Sequence, residues 1–97
     1  MPARERNRWA LLVDTTGVET HRVDLEACWR GWRVLQGSQG RLHTLRELAQ
    51  AAEMSKETVA RFMHGREHVS IRSGRRIIGA LGLSFDEVAK PLEALSA

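Results

Sequence analysis

Within residues 55–64 the chain places Ser55, Lys56, Glu57, Arg61 and His64, polar side chains whose spacing suits one side of a helix. Val59, Phe62 and Met63 fall on the other side, which turns positions 56, 57, 60, 61 and 64 outward. The chemistry open to these residue types is recognition by hydrogen bonding. Lys56 can reach a phosphate or the O6 and N7 acceptors of guanine, and Arg61 can grip the same acceptors with two N–H groups. Glu57 can accept from cytosine N4, or it can orient Arg61 four residues on. A solvated charged face is the plain alternative for the same pattern.

Bond-making chemistry finds little to work with. The sequence shows no acid–base dyad, no nucleophilic triad and no glycine-rich phosphate loop, so an enzyme is not expected and no catalytic residue is nominated. His64 and His68 have the spacing of a metal pair. Gly65 interrupts the helix between them, and no Cys or carboxylate cluster completes a site, so neither a metal nor any other cofactor is expected. Cys28 lies on an apolar stripe and reads as a core residue; as the single cysteine it forms no intrachain disulfide. Trp29 and Trp32 read as core rather than as a platform for stacking bases.

The recognition residues need a scaffold, and residues 44–65 supply a compact one. Thr44 caps a helix and Glu47, three residues on, completes a capping box. Leu45, Leu48, Ala49 and Ala52 then share one face. Ser55 caps a second helix, and Gly65 stops it. Isolated helices below roughly 12 residues are marginal in water, so the pair must pack on something. Small Ala49 and Ala52 allow close approach. Two short helices and a tight turn make a helix-turn-helix, which holds its second helix out for a DNA major groove.

The remaining elements must position that motif. Residues 1–8 carry Arg4, Arg6 and Arg8, either an arm that touches DNA or a solvated tail. The apolar run Trp9–Val13, the turn residues Asp14–Gly17 and the β-branched residues Val18, Thr20 and Val23 predict a β-hairpin over 9–23, with a helix over 4–13 as the alternative. Asp24 caps a helix whose stripe is Leu25, Cys28, Trp29, Trp32 and Leu35. After the motif, Ser70 or Ser73 caps a helix with Ile71, Ile77, Ile78 and Leu81 inward and Arg72, Arg75 and Arg76 outward. Ser84 and Glu87 form a second capping box opening a last helix, which Pro91 must kink or split. The expected division is a basic arm at 1–8, an extension at 9–23 and a helix-turn-helix domain at 24–97.

Ninety-seven residues with 42% apolar content suit one small domain. Fifteen Lys and Arg against 12 Asp and Glu give a net charge of +3, which favours an anionic partner without requiring one. Thirteen of the 15 cations are Arg, which suits planar, bidentate contacts, although a GC-rich genome gives the same bias. No apolar run approaches the ~20 residues of a membrane span, and Trp9–Val13 is too short for a signal-peptide core. A soluble, cytoplasmic, nucleoid-associated bacterial protein with no membrane partner is expected.

The segments L-x-x-L-A at 45–49, M-S-K-E-T-V at 54–59, A-R-F-M-H-G at 60–65 and A-L-G-L-S-F-D-E-V at 80–88 carry a family likeness. Through them the chain, from about Leu42 to Leu95, resembles the lambda-repressor-like, Cro/XRE-type family of helix-turn-helix domains. Residues 1–23 lie outside the resemblance. It implies a mostly-α fold, a five-helix bundle to which the hairpin would be an addition. It implies base reading from the positions of Ser55, Lys56, Glu57, Ala60, Arg61 and His64. Phosphate contacts are expected at helix N-termini, from Thr44 with Arg46 and from Ser70, Arg72 and Ser73, helped by Arg66. The family usually has glycine at the place of Glu53, where the backbone is left-handed and a Cβ costs roughly 1–2 kcal/mol. The implied function is a sequence-specific, double-stranded-DNA-binding transcriptional regulator of bacterial or phage origin, a repressor acting as a homodimer on an inverted repeat. The alternative is an antitoxin that binds its toxin through residues 1–24 or the last helix and autoregulates its operon. A module that keeps the fold without binding DNA is a third reading.

Overall fold

In the computed structural model, which describes residues 8–38, 40, 42, 44–66 and 68–95, strand β1 (Trp9–Val13) turns back into β2 (Glu19–Asp24). The hairpin pairs Ala10 with Val23 and Leu12 with His21, and a bulge follows at Leu12–Val13. Asp14 closes the turn. Its carboxylate accepts from the Thr16 hydroxyl (2.6 Å) and from the Thr16 and Val18 amides. Those bonds, the Thr16 hydroxyl foremost, hold the carboxyl below its ordinary pKa. Alternation along β1 buries Ala10 and Leu12 and leaves Trp9 at the surface.

Helix α1 (Leu25–Ser38) follows directly, and Asp24 caps it by accepting from the Ala27 amide. Next come α2 (Leu45–Ala52), α3 (Lys56–His64), the two-residue strand β3 (Val69–Ser70) and α4 (Ile71–Ala80). The chain then forms a single turn, α5 (Phe85–Val88), a three-residue strand, β4 (Ala89–Pro91), and a last turn, α6 (Leu92–Leu95). No helix among the described residues is long and apolar enough to cross a membrane.

The expected mostly-α, five-helix bundle is overturned. The described residues form an α/β fold in which a four-stranded mixed sheet, ordered β3-β1-β2-β4, stands with the helices. The hairpin is the centre of that sheet. β3 joins β1 in parallel, pairing Val69 with Leu12, and β4 joins β2 antiparallel, pairing Lys90 with Arg22. Pro91 splits the last helix by a physical route open to any residue before proline. Lys90 is pushed toward extended backbone, Ala89 is already extended at φ −111°, ψ 120°, and the segment becomes an edge strand, where a residue without an N–H is tolerated. The expected capping box at Ser84 does not form either. The Ser84 side chain makes no cap bond, and the Glu87 amide donates to the Ser84 carbonyl instead.

One core serves strands and helices together. Ala10, Leu12 and Val23 of the hairpin cluster with Leu25, Cys28 and Trp32 of α1, Leu48 and Ala52 of α2, Val59 and Phe62 of α3 and Ile77 and Ile78 of α4. Residues 9–23 are thus a wall of the domain. The layers meet closely at Gly74, where a Cβ would lie 2.7 Å from Leu12 Cδ2. Leu12 is fully buried and has no room to withdraw. Leu12→Ala is therefore expected to cost about 3 kcal/mol, read as a lower urea midpoint with an unchanged denaturant slope. An unchanged midpoint would return the hairpin to the status of an appendage.

Candidate nucleic-acid interface

The scaffold of the site is set locally. Thr44 accepts from the Glu47 amide (3.1 Å) and its own amide donates to the Glu47 carboxylate (3.0 Å), so α2 opens on a complete capping box. α2 ends at Glu53, whose φ of 58° and ψ of 46° are left-handed. The amide of Glu53 donates to Gln50 and that of Met54 to Ala49, the bonding of a Schellman turn. Met54 then packs on the core. Glu53 therefore adopts the conformation for which glycine is the usual residue, at a cost of roughly 1–2 kcal/mol. Ser55 opens α3 by accepting from the Thr58 amide (3.2 Å), and Gly65, with φ 67°, closes it.

Val59, Phe62 and Met63 are buried, so the faces of α3 are assigned. Lys56, Glu57 and Arg61 are exposed on the outer side. Ser55 is exposed too, but its hydroxyl is engaged with Thr58 in both directions, accepting from the amide and donating to Oγ1 at 2.8 Å. His64 differs from the other three. It is half-buried, and its ring lies 5.9 Å from that of Trp29 on α1. Trp29 also holds the end of α3, its indole N–H donating to the Met63 carbonyl at 2.9 Å. That carbonyl is one of those a helix C-terminus leaves without an intrahelical partner. Trp32 likewise donates to the Leu42 carbonyl at 2.6 Å. The tryptophans thus pin the linker and the end of α3, a role that no sequence spacing indicated.

The residues nominated for phosphate form two groups. Thr44 and Arg46 are exposed at the start of α2. Ser70 caps α4 by accepting from the Ser73 amide at 3.0 Å, with Arg72 exposed and Ser73 half-buried in the same turn. Arg66 is exposed in the intervening loop. α2 and α4 pack against one another, which places both groups on neighbouring elements. Of the candidate arm, Arg8 is described and exposed, and its carbonyl accepts from the Leu25 amide at 3.0 Å. Arg4 and Arg6 lie outside the described residues.

His68 does not face His64 in a shared site. It meets Glu19 on β2 at 3.0 Å, while His64 faces Trp29. Among the described residues no group of three His, Cys, Asp or Glu is placed to hold a metal. Cys28 is buried in the core. Burial, with the Asp24 charge adding to it, pushes its thiol up to about 12. No protein-family model, curated protein or solved structure matches this chain.

Two measurements test this geometry. Glu53→Gly relieves the left-handed strain and gives back part of the gain through a freer unfolded chain, so a net stabilisation of about 1 kcal/mol is expected by chemical denaturation. A loss of stability would mean that the Glu53 side chain itself holds the turn. Cys28, kept as a thiol, is expected to react with a disulfide reagent at about pH 8 at least ~100-fold more slowly in the folded chain than in denaturant. Equal rates would place the sulfur at the surface.

Proposed function

We propose that the chain is a sequence-specific DNA-binding transcriptional regulator that lays α3 in the major groove of duplex DNA. The observation that supports this most directly is the exposed row Lys56, Glu57 and Arg61 on a helix whose opposite side is buried and whose two ends are fixed by caps. Such a helix presents donors and an acceptor in a defined orientation, which is what reading base edges requires. Lys56 and Arg61 address guanine, and Glu57 addresses cytosine or steadies Arg61. His64, half-buried against Trp29, and Ser55, engaged as a cap, are secondary readers.

Phosphates are held from two sides. The Thr44 box occupies the amides of Thr44 and Glu47, so a phosphate at the start of α2 would meet the intervening amides of the first turn and the Arg46 guanidinium. At α4 it would meet Arg72 and the first-turn amides beyond the Ser70 cap, with Arg66 reaching from the loop. These contacts orient the protein without choosing a sequence. One module of this size reads few base pairs. A homodimer on an inverted repeat supplies the remaining specificity, and an occupied operator blocks a promoter, the action of a bacterial or phage repressor.

Binding to a selected operator is expected to weaken steeply with salt, by a log–log slope of about −0.9 per phosphate contacted. Lys56→Ala and Arg61→Ala are each expected to cost about 1–3 kcal/mol of specific affinity with the melting temperature unchanged. A flat salt response would sink DNA binding altogether. A steep response with both variants binding like wild type would keep DNA binding and remove α3 as the reader.

A further inference from the structure

Beside the β1–β2 turn and the start of α4 the surface opens into a cavity of about 400 Å³. Half-buried Val13 and Ile71 and exposed Thr15, Arg72 and Arg75 line it, and the lining as a whole is almost wholly apolar, so the arginines border it with their aliphatic stems. Two other polar groups line it, and both are already engaged. The Asp14 carboxylate is tied into the turn by Thr16 and Val18. The Ser70 hydroxyl accepts from the Ser73 amide and donates to the Ser73 hydroxyl. The arginines are differently placed. Arg75 stacks its guanidinium on the Phe85 ring at 4.1 Å, which uses the face of that planar group and leaves its N–H edge for an acceptor. Arg72 makes no ion pair with a described residue. Two cations against one carboxylate give the residues around this apolar surface a net positive charge.

We propose that this cavity is a binding site for a small amphipathic carboxylate, an aliphatic or aromatic acid whose body lies on Val13 and Ile71 and whose carboxylate is taken by Arg72 and Arg75. The two features select together. The apolar wall gives a bare phosphate nothing to gain, and the guanidiniums give a neutral hydrocarbon no orientation. A monoanion with a short apolar body satisfies both, with charge-assisted hydrogen bonds to planar guanidinium groups. The site stands independently of DNA binding. Because Arg72 is also a proposed phosphate contact, an acid held there draws the residue away from DNA, so the cavity is placed to act as an effector site.

Titration of the full chain, without DNA, by hexanoate, hexanol and inorganic phosphate tests the site through the methyl resonances of Val13 and Ile71. Hexanoate is expected to shift both saturably with millimolar affinity, and hexanol and phosphate to bind at least about tenfold more weakly. Arg72→Ala, at an exposed position, is expected to weaken hexanoate about tenfold, and Thr15→Trp to close the mouth and abolish the shifts. Hexanol binding as well as hexanoate would reduce the cavity to a greasy patch. Phosphate binding as well as hexanoate would reduce it to an anion clamp. Either result, an unaltered Arg72→Ala affinity, or the lack of a saturable shift overturns the proposal.

Discussion

Leu12 seated on the backbone of Gly74 is the contact on which the arrangement of the molecule depends. Glycine within a helix costs roughly 1 kcal/mol relative to alanine. At position 74 that cost is offset by letting β1 press its most buried side chain into α4. The hairpin carries the rest of the sheet with it, β3 through pairing to β1 and β4 through pairing to β2. On the other side α4 packs on α2, and α2 leads through the Glu53 turn into α3. The pose of α3 thus depends on the sheet both through α4 and α2 and through its own direct contact with β1. A chain with residues 44–65 unchanged but no hairpin would lack the wall against which α4 rests.

What was legible in the sequence was local. Caps are decided by side chains within a few residues, so Asp24, Thr44 and Ser55 could be assigned from type and spacing and form bonds in the structure, Ser70 proves to be the cap where Ser70 or Ser73 was open, and only the Ser84 box fails. The outward row on α3 followed from the inward row, because Val59, Phe62 and Met63 leave few sides for Lys56, Glu57 and Arg61. The sheet was not legible beyond its hairpin. Val69–Ser70 and Ala89–Pro91 are too short to show any period, and each is a strand only because a partner distant in sequence pairs with it. The Ser84–Glu87 spacing and the stripe Phe85, Val88, Leu92 and Leu95 read as one last helix that Pro91 would kink or split. Pro91 warned of a break there, but nothing local told that the freed segment would pair with β2. His64 shows the same limit within the candidate site, since the family likeness and the helical period both turned it outward, and neither could show the Trp29 ring on another helix that lies beside it.

Glu53 shows how a residue other than glycine can still set the geometry between two helices through a left-handed turn. The left-handed well is narrow and separated from the other allowed regions, so a residue within it fixes the change of direction between α2 and α3 as a discrete state. The penalty of roughly 1–2 kcal/mol is met by what the turn secures: two amide bonds back onto α2 and the burial of Met54 against the core. A right-handed Glu53 would extend α2 and carry Met54 and the Ser55 cap around its axis. Val59, Phe62 and Met63 would then lose the core along with the turn. The strain also falls on an exposed side chain, where a Cβ meets solvent and not a packed neighbour, so the cost is confined to the backbone. The angle at which α3 is presented therefore follows from the burial of the apolar side of α3, with which the left-handed turn must comply whatever residue occupies it.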